Sequence, residues 1–331
     1  MYAVINDVLR SGKCVDIQVY DLVKAFDVLW LADTLNDMWD TLPENARDNK
    51  LGLVYQRSLS NLIAVNTALG QTDRFNIPEV VTQGGTWGPL LCSNSIDQIG
   101  KYALQNCDLF KYRNVTRILP LAMVDDLLAI GSCGVQSISI NTAINTKIEL
   151  KKLEFHTPKE NGKGKCQFMH IGKANKFCLG MKVHGKEVEQ VKETLYLGDI
   201  IRDDGKNSSN VKSRVRKGFG IVAEITTILK SISFGHRYFE IANLLRETRL
   251  INGILTNVEV WYSLGNKEIA ELENIDKIYL RKVLAAPQSV STESLYLELE
   301  LVPISAIIKQ RRIMFLSSET ELACVGLSVR L

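Results

Sequence analysis

The sequence predicts an α+β chain that continues into an all-helical region. Three observations carry this. Between residues 13 and 201, apolar stretches of period two alternate with stretches of helical spacing, the pattern of strands and helices mixed in one unit. Beyond "RDDGKNSSN" (202–210), a turn-rich linker, residues 211–285 and 305–316 show only helical periodicity. Within "LAMVDDLLAI" (121–130), two adjacent acids sit inside an apolar run, where an unpaired buried carboxylate is costly or takes up a proton. A boundary is placed near residue 205, dividing the chain into 1–205 and 206–331, and 331 residues suffice for about two domains.

The elements follow in order. "KCVDIQVYDLV" (13–23) sets Val15, Ile17 and Val19 on one face of a strand. "DVLWLADTLNDMWDTL" (27–42) carries Trp30, Leu31, Leu35, Met38, Trp39 and Leu42 at the spacing of an amphipathic helix. A second helix is expected over 47–60 and strands around a polar turn over 61–85. "GPLLCSNSIDQIGKYAL" (88–104) reads as a helix whose Pro89 suits the first turn, where a missing N–H is no loss. "RILPLAMVDDLLAIGSCG" (117–134) divides into two short apolar strands with Asp125 and Asp126 at the turn. "SINTAINTKIELKKLEF" (139–155) is a further helix, and "TPKENGKGK" (157–165) a basic, glycine-containing loop. "CQFMHIG" (166–172), "MKVHGKEV" (181–188) and "TLYLGDII" (194–201) read as short strands.

Composition excludes several classes. The seven cysteines are Cys14, Cys92, Cys107, Cys133, Cys166, Cys178 and Cys324, with no C-x-x-C pair. That argues against a zinc ribbon and a secreted disulfide framework, and the expectation is reduced thiols in an intracellular protein. The N-terminus lacks the apolar core of a signal peptide. No run approaches the roughly 20 apolar residues of a membrane span. A net charge of +3 permits a polyanionic partner without demanding one.

Asp is common in turns, so a solvated turn is the plain reading of Asp125–Asp126. Its apolar flanks and the lack of Gly or Asn point elsewhere. Two carboxylates held on a hairpin can bind Mg²⁺, which takes hard oxygen ligands from one or two carboxylates and from substrate phosphates. "YDLVKAFD" (20–27) offers a third acid, Asp21, near the end of a strand. A helix N-cap is the plain reading of Asp21, although Asp27 fits that role better. Spacing leaves open whether the strands are neighbours. If they are, the three acids can form a two-metal site that activates a hydroxyl and stabilises departing pyrophosphate. His184 and His236 are isolated in sequence and receive no chemical role.

"YDLVKAFD", "VVTQGGTWGPLL", "LAMVDDLLAI", "NGKGKCQFMHIGK" and "ETLYLGDII" follow in the order and approximate spacing of the palm motifs of reverse transcriptases. Over about residues 13–320 the chain resembles the polymerases of non-LTR (long interspersed element type) retrotransposons. The resemblance implies a right-hand polymerase palm with partial fingers over 1–205, a ferredoxin-like antiparallel sheet with helices. An all-helical thumb and connection, truncated at the C-terminus, would follow over 206–331. It implies an RNA-directed DNA polymerase with an RNA template, a DNA primer or target, dNTP substrates and two Mg²⁺ ions, or Mn²⁺, on Asp21, Asp125 and Asp126. Such a protein works in the nucleus or cytoplasm, is not secreted and needs no membrane.

The resemblance also distributes roles. Lys165 matches the lysine near the leaving pyrophosphate, and the Leu22 carbonyl a backbone metal ligand. Phe26 matches the ring that leaves no room for a 2′-hydroxyl, with a core aromatic as its plain alternative. Gln83 and Gly84 match the pair that packs on the nucleotide, where a residue without Cβ permits close approach. Tyr196, Leu197 and Gly198 resemble the primer-grip turn. Lys212, Arg214, Arg216 and Lys217 form either a solvated helix face or a track for nucleic-acid phosphates.

The sequence also departs from the family. Met123 and Val124 stand where an aromatic usually precedes the paired acids, the basic residue often found before the Gln-Gly pair is lacking, and Trp87 is unexpected. The short segment before Asp21 leads to the expectation that the basic fingers are missing. The alternative expectation is therefore a catalytically inactive retroelement fragment that at most binds nucleic acid, with an apolar patch exposed where fingers would lie.

Overall fold

The computed structural model describes residues 1–24, 28–41, 62–64, 66–68, 70–76, 88–112, 116–123, 125–132, 134–157, 164–172, 180–261 and 264–324. The expected helix over 47–60, much of 61–85, and Phe26, Gln83 and Gly84 lie outside these residues. The chain forms two compact units, Val8–Leu197 and Met1–Asp7 with Gly198–Leu331. The division falls at Leu197–Gly198 rather than near 205, and the first residues of the chain group with the helical unit. No helix among the described residues is long and apolar enough to cross a membrane.

The sheet unit is built on four antiparallel strands: β1 (Cys14–Asp21), β2 (Leu121–Met123), β3 (Asp126–Ser132) and β4 (Gln167–Gly172). Their order is β4-β1-β3-β2. Helices α1 (Leu31–Thr41) and α2 (Gly88–Asn106) lie between β1 and β2, and α3 (Val135–Leu150) between β3 and β4. That connectivity is the split βαβ arrangement of a ferredoxin-like sheet. Helix α1 packs on α2, α2 on α3, and α3 on β3. One core joins them: Tyr20, Leu127, Ala129 and Phe168 from the sheet, with Ile96, Ile99, Ile140 and Ile144 from the helices. At Gly131 an added Cβ would lie 2.9 Å from the Ser137 Cα, so glycine lets α3 approach the sheet.

Sequence periodicity placed Val15, Ile17 and Val19 on one face of β1. Both faces are buried, Asp16, Gln18 and Tyr20 as fully as Val15, Ile17 and Val19. Partners make this tolerable. His170 Nδ1 lies 2.8 Å from Asp16 Oδ1, Gln18 donates to the Ser137 carbonyl at 2.9 Å, and the Tyr20 hydroxyl reaches Asn141 at 2.9 Å. Helix α3 also begins and ends earlier than expected. Gly134, with φ 85°, admits the turn before it, and Lys152, with φ 56°, leaves the helical region after it.

Two stretches read as single strands are broken by turns. Within 181–188, Lys182–Val183 pairs with Lys186–Glu187 across His184 (φ 50°) and Gly185 (φ 74°), the paired positive φ of a tight hairpin. "TLYLGDII" divides into β5 (Glu193–Tyr196) and β6 (Asp199–Arg202) about Leu197 (φ 49°) and Gly198 (φ 80°). The expectation of uniformly reduced thiols also fails at one position. Cys14 is disulfide-bonded, whereas Cys92, Cys107 and Cys166 are free.

The helical unit contains α4 (Ser208–Leu229), α5 (His236–Leu245), a π-helical turn (Arg246–Ile251), α6 (Asn266–Val283), α7 (Thr292–Glu298) and α8 (Ile304–Cys324). Its core includes Val222, Ile225, Ile254, Trp261, Leu272, Ile275 and Tyr279. Gly218 allows α4 to lie close to α6, since an added Cβ would sit 2.8 Å from Ile275 Cγ2. Arg246 and Asp276 are buried together in a bidentate pair of 2.8 and 2.6 Å.

Candidate active site

The sheet brings the three acids into one corner. In the β1–β3 register Asp21 faces Asp126, just beyond the Tyr20–Leu127 pair. Met123 pairs with Asp126 and closes the β2–β3 hairpin, leaving Asp125 in its turn. Asp126 therefore belongs to the strand and is half-buried, while Asp125 is exposed. Apolar flanks explain the local fold. Leu127, Leu128, Ala129 and Ile130 are buried and pin β3, so its first residue cannot drift from Asp21. Met123, in place of an aromatic, is exposed.

A second contact holds the end of β1. The Val23 N–H donates to the Glu154 carbonyl at 2.8 Å, and the His156 N–H to the Asp21 carbonyl at 3.0 Å. This pairing carries His156 to Asp21, with Nε2 3.2 Å from Asp21 Oδ1. Lys165 arrives from the basic loop, and its Nζ donates to the same oxygen at 3.1 Å. The Lys165 Nζ and the His156 Nε2 are 3.2 Å apart. Sequence reading anticipated Lys165 and missed His156. The β-bridge between Leu22 and Phe155 that delivers it leaves no local pattern in the sequence.

The corner is electrostatically crowded. Burial, then the charges of Asp125 and Asp21, push the Asp126 carboxyl above its ordinary value, with Lys165 opposing. The Cys92 thiol is pushed up to about 12 by burial and by Asp125. The Tyr196 hydroxyl is pushed up to about 12 by burial and by Asp126. Tyr196 also donates to the carbonyl of Leu121, in β2, at 3.3 Å.

Among the described residues, no group of three or more His, Cys, Asp or Glu side chains converges into a metal-binding cluster. Asp126 is close enough to Asp125 and Asp21 to feel both charges, and carboxylate oxygens are the ligand type that Mg²⁺ takes. Asp21, whose side chain is 25% exposed, is met instead by Lys165 and His156.

The other expected residues separate. Leu22 is buried. Lys212, Arg216 and Lys217 are exposed on α4. Arg214 is not, which corrects its placement among residues facing nucleic acid. It belongs to the inward row Asn210, Val211, Arg214, Gly218 and Val222, the spacing of one helix face. Its guanidinium donates to the Gly198 carbonyl at 3.0 Å and to Asp199 Oδ1 at 3.1 Å. Trp261 Nε1 donates to the other Asp199 oxygen at 3.3 Å. Burial raises the Asp199 carboxyl, and these hydrogen bonds oppose the rise.

No protein-family model and no curated protein sequence matches the chain. Among solved structures, it is similar to a telomerase from Candida tropicalis in complex with a TWJ fragment of telomeric RNA. The TM-score is 0.44 and the identity 14%, over 89% of this chain and 50% of that one. The corresponding structure from Candida albicans gives a TM-score of 0.43 and 13% identity, over 91% and 54%. The chain spans about half the length of these solved chains.

Proposed function

We propose that the chain is an RNA-directed DNA polymerase of the non-LTR retrotransposon type, in which a primer 3′-hydroxyl attacks the α-phosphate of a dNTP opposite an RNA template. One observation supports this above the others. Pairing of β1 with β3 sets Asp21 opposite Asp126, so two motifs distant in sequence that resemble reverse-transcriptase motifs meet in space. In this reading Asp21, Asp125 and Asp126, with the Leu22 carbonyl, hold two Mg²⁺ ions, or Mn²⁺ in their place. Bound there, the ions would supply neutralisation of triphosphate charge and activation of the hydroxyl.

The chain's own residues do the rest. The Lys165 side chain is 62% exposed, which leaves it free to turn from Asp21 to the leaving pyrophosphate and donate a proton. Tyr196, braced on Leu121, positions the primer end together with Leu197 and Gly198. Phe26 excludes a 2′-hydroxyl, and Gln83 and Gly84 pack on the nucleotide. Lys212, Arg216 and Lys217 hold duplex phosphates, with an affinity that falls as salt rises. Arg214 instead fixes the carbonyl of Gly198.

A second reading is a non-catalytic nucleic-acid-binding remnant. It is favoured by the direct contacts of Lys165 and His156 on Asp21. Primer extension on an RNA template, in Mg²⁺ and in Mn²⁺, separates the two. The first reading expects incorporation by the natural chain and a loss of at least about 100-fold in Asp125→Asn/Asp126→Asn. A folded, monodisperse natural chain that incorporates nothing establishes the second.

A further inference from the structure

At the turn between α4 and α5, Phe234 packs on two rings of α5, Tyr238 and Phe239, which pack on each other. Phe234 lies 5.1 Å from Tyr238 and 5.1 Å from Phe239, and those two lie 5.3 Å apart. The Phe234–Phe239 and Tyr238–Phe239 contacts are edge-to-face, at 77° and 90°. Tyr238 and Phe239 are half-buried, whereas Phe234 is 69% exposed. Single exposed apolar residues need no explanation. An exposed ring braced by two others is different, because its orientation is already fixed and little freedom remains to be lost on binding.

The charge around it is directional. Lys230 caps the C-terminus of α4, and Arg237 lies in the first turn of α5. Both are exposed, and neither makes an ion pair among the described residues. The amino end of α5 adds positive potential. Glu240, one turn further on, is the acid of this segment and already has a partner.

We propose that this turn is a stacking platform for single-stranded nucleic acid, with a base on the open face of Phe234 and flanking phosphates on Lys230 and Arg237. An aromatic face beside cations matches a nucleobase beside phosphates. A purely apolar partner would leave both cations without a role. A duplex offers no free base face at an internal position, which selects a single strand. The proposal goes beyond the polymerase reading and uses none of its acids.

The test is binding of a fluorescein-labelled single-stranded 12-mer, RNA or DNA, to the full chain. Phe234→Leu keeps an apolar side chain and removes the ring, and should weaken binding by about 5- to 20-fold. Phe234→Trp should bind as well as the natural chain, with its added indole emission quenched on saturation. Lys230→Gln/Arg237→Gln should reduce the slope of log affinity against log salt by about 1.4. Equal affinity in Phe234→Leu, together with unquenched emission in Phe234→Trp, would overturn the proposal. So would self-association abolished by Phe234→Leu without any change in oligonucleotide binding. Asp125→Asn/Asp126→Asn should retain the 12-mer affinity, so a failure of catalysis and a failure of the platform are read separately.

Discussion

In the helical unit, Asp276 is fully buried and completely answered. Arg246 meets both of its oxygens at 2.8 and 2.6 Å, and the Tyr296 hydroxyl donates to one of them at 3.0 Å. In the sheet unit, Asp126 is half-buried and faces two more acids, with Lys165 as the opposing charge on its carboxyl. One site compensates a carboxylate at the point of burial. The other gathers carboxylates faster than it supplies cations. A compensated acid holds a fold together, and a surplus of acids at a strand end has use only when something positive arrives. The polymerase proposal itself rests on the pairing that sets Asp21 opposite Asp126.

The largest effect should come from breaking the compensated pair. Arg246→Met leaves the buried Asp276 without its counter-charge, and should destabilise the chain by about 3–5 kcal/mol in urea unfolding. Arg246→Met/Asp276→Leu should recover most of this loss. A single variant as stable as the natural chain would erase the contrast between the units. Next comes Gly218→Ala, which forces the Ile275 and Ile254 methyls apart. Overpacking of that kind should cost about 1–3 kcal/mol, with the midpoint shifting and the denaturant slope unchanged.

The surplus site should behave in the opposite way. Asp126→Asn removes one of three crowded charges, so it should leave stability unchanged or raise it by less than about 1 kcal/mol. A marked loss would show that Asp126 is structural, as Asp276 is. The smallest effect belongs to Asp204, whose carboxyl is held below its ordinary value chiefly by hydrogen bonds from Arg202. The folded form is the stronger acid, so this stabilisation is fully present above the unfolded value of about 3.9 and is lost as pH falls through the lower folded value. Asp204→Asn should therefore differ from the natural chain by under about 1 kcal/mol near pH 7, and the difference should shrink as pH falls below the unfolded value of about 3.9.

Much of this was legible in residue order. The apolar flanks of Asp125–Asp126 declared a hairpin, and the period-two run before Asp21 declared a strand. What periodicity could not declare was pairing. The placement of His156 depends on a bridge between Leu22 and Phe155, a contact between segments far apart in the chain. Arg214 shows the reverse case. Its row with Asn210, Val211 and Gly218 already marked an inward face, and a count of positive charge obscured it. The burial of Asp16 and Gln18 was hidden because a polar residue in a strand reads as solvent-facing until His170 and Ser137 are seen beside it.

The central proposal is that Asp21, Asp125 and Asp126 can bind a divalent cation in competition with Lys165, which donates to Asp21. Isothermal titration of the full chain with Mn²⁺, without nucleotide, tests it most directly. The account predicts saturable binding that Asp126→Asn weakens by about tenfold or more and that Lys165→Met strengthens, since one of the two groups on Asp21 is then removed. Identical Mn²⁺ affinity in the natural chain and both variants would contradict it.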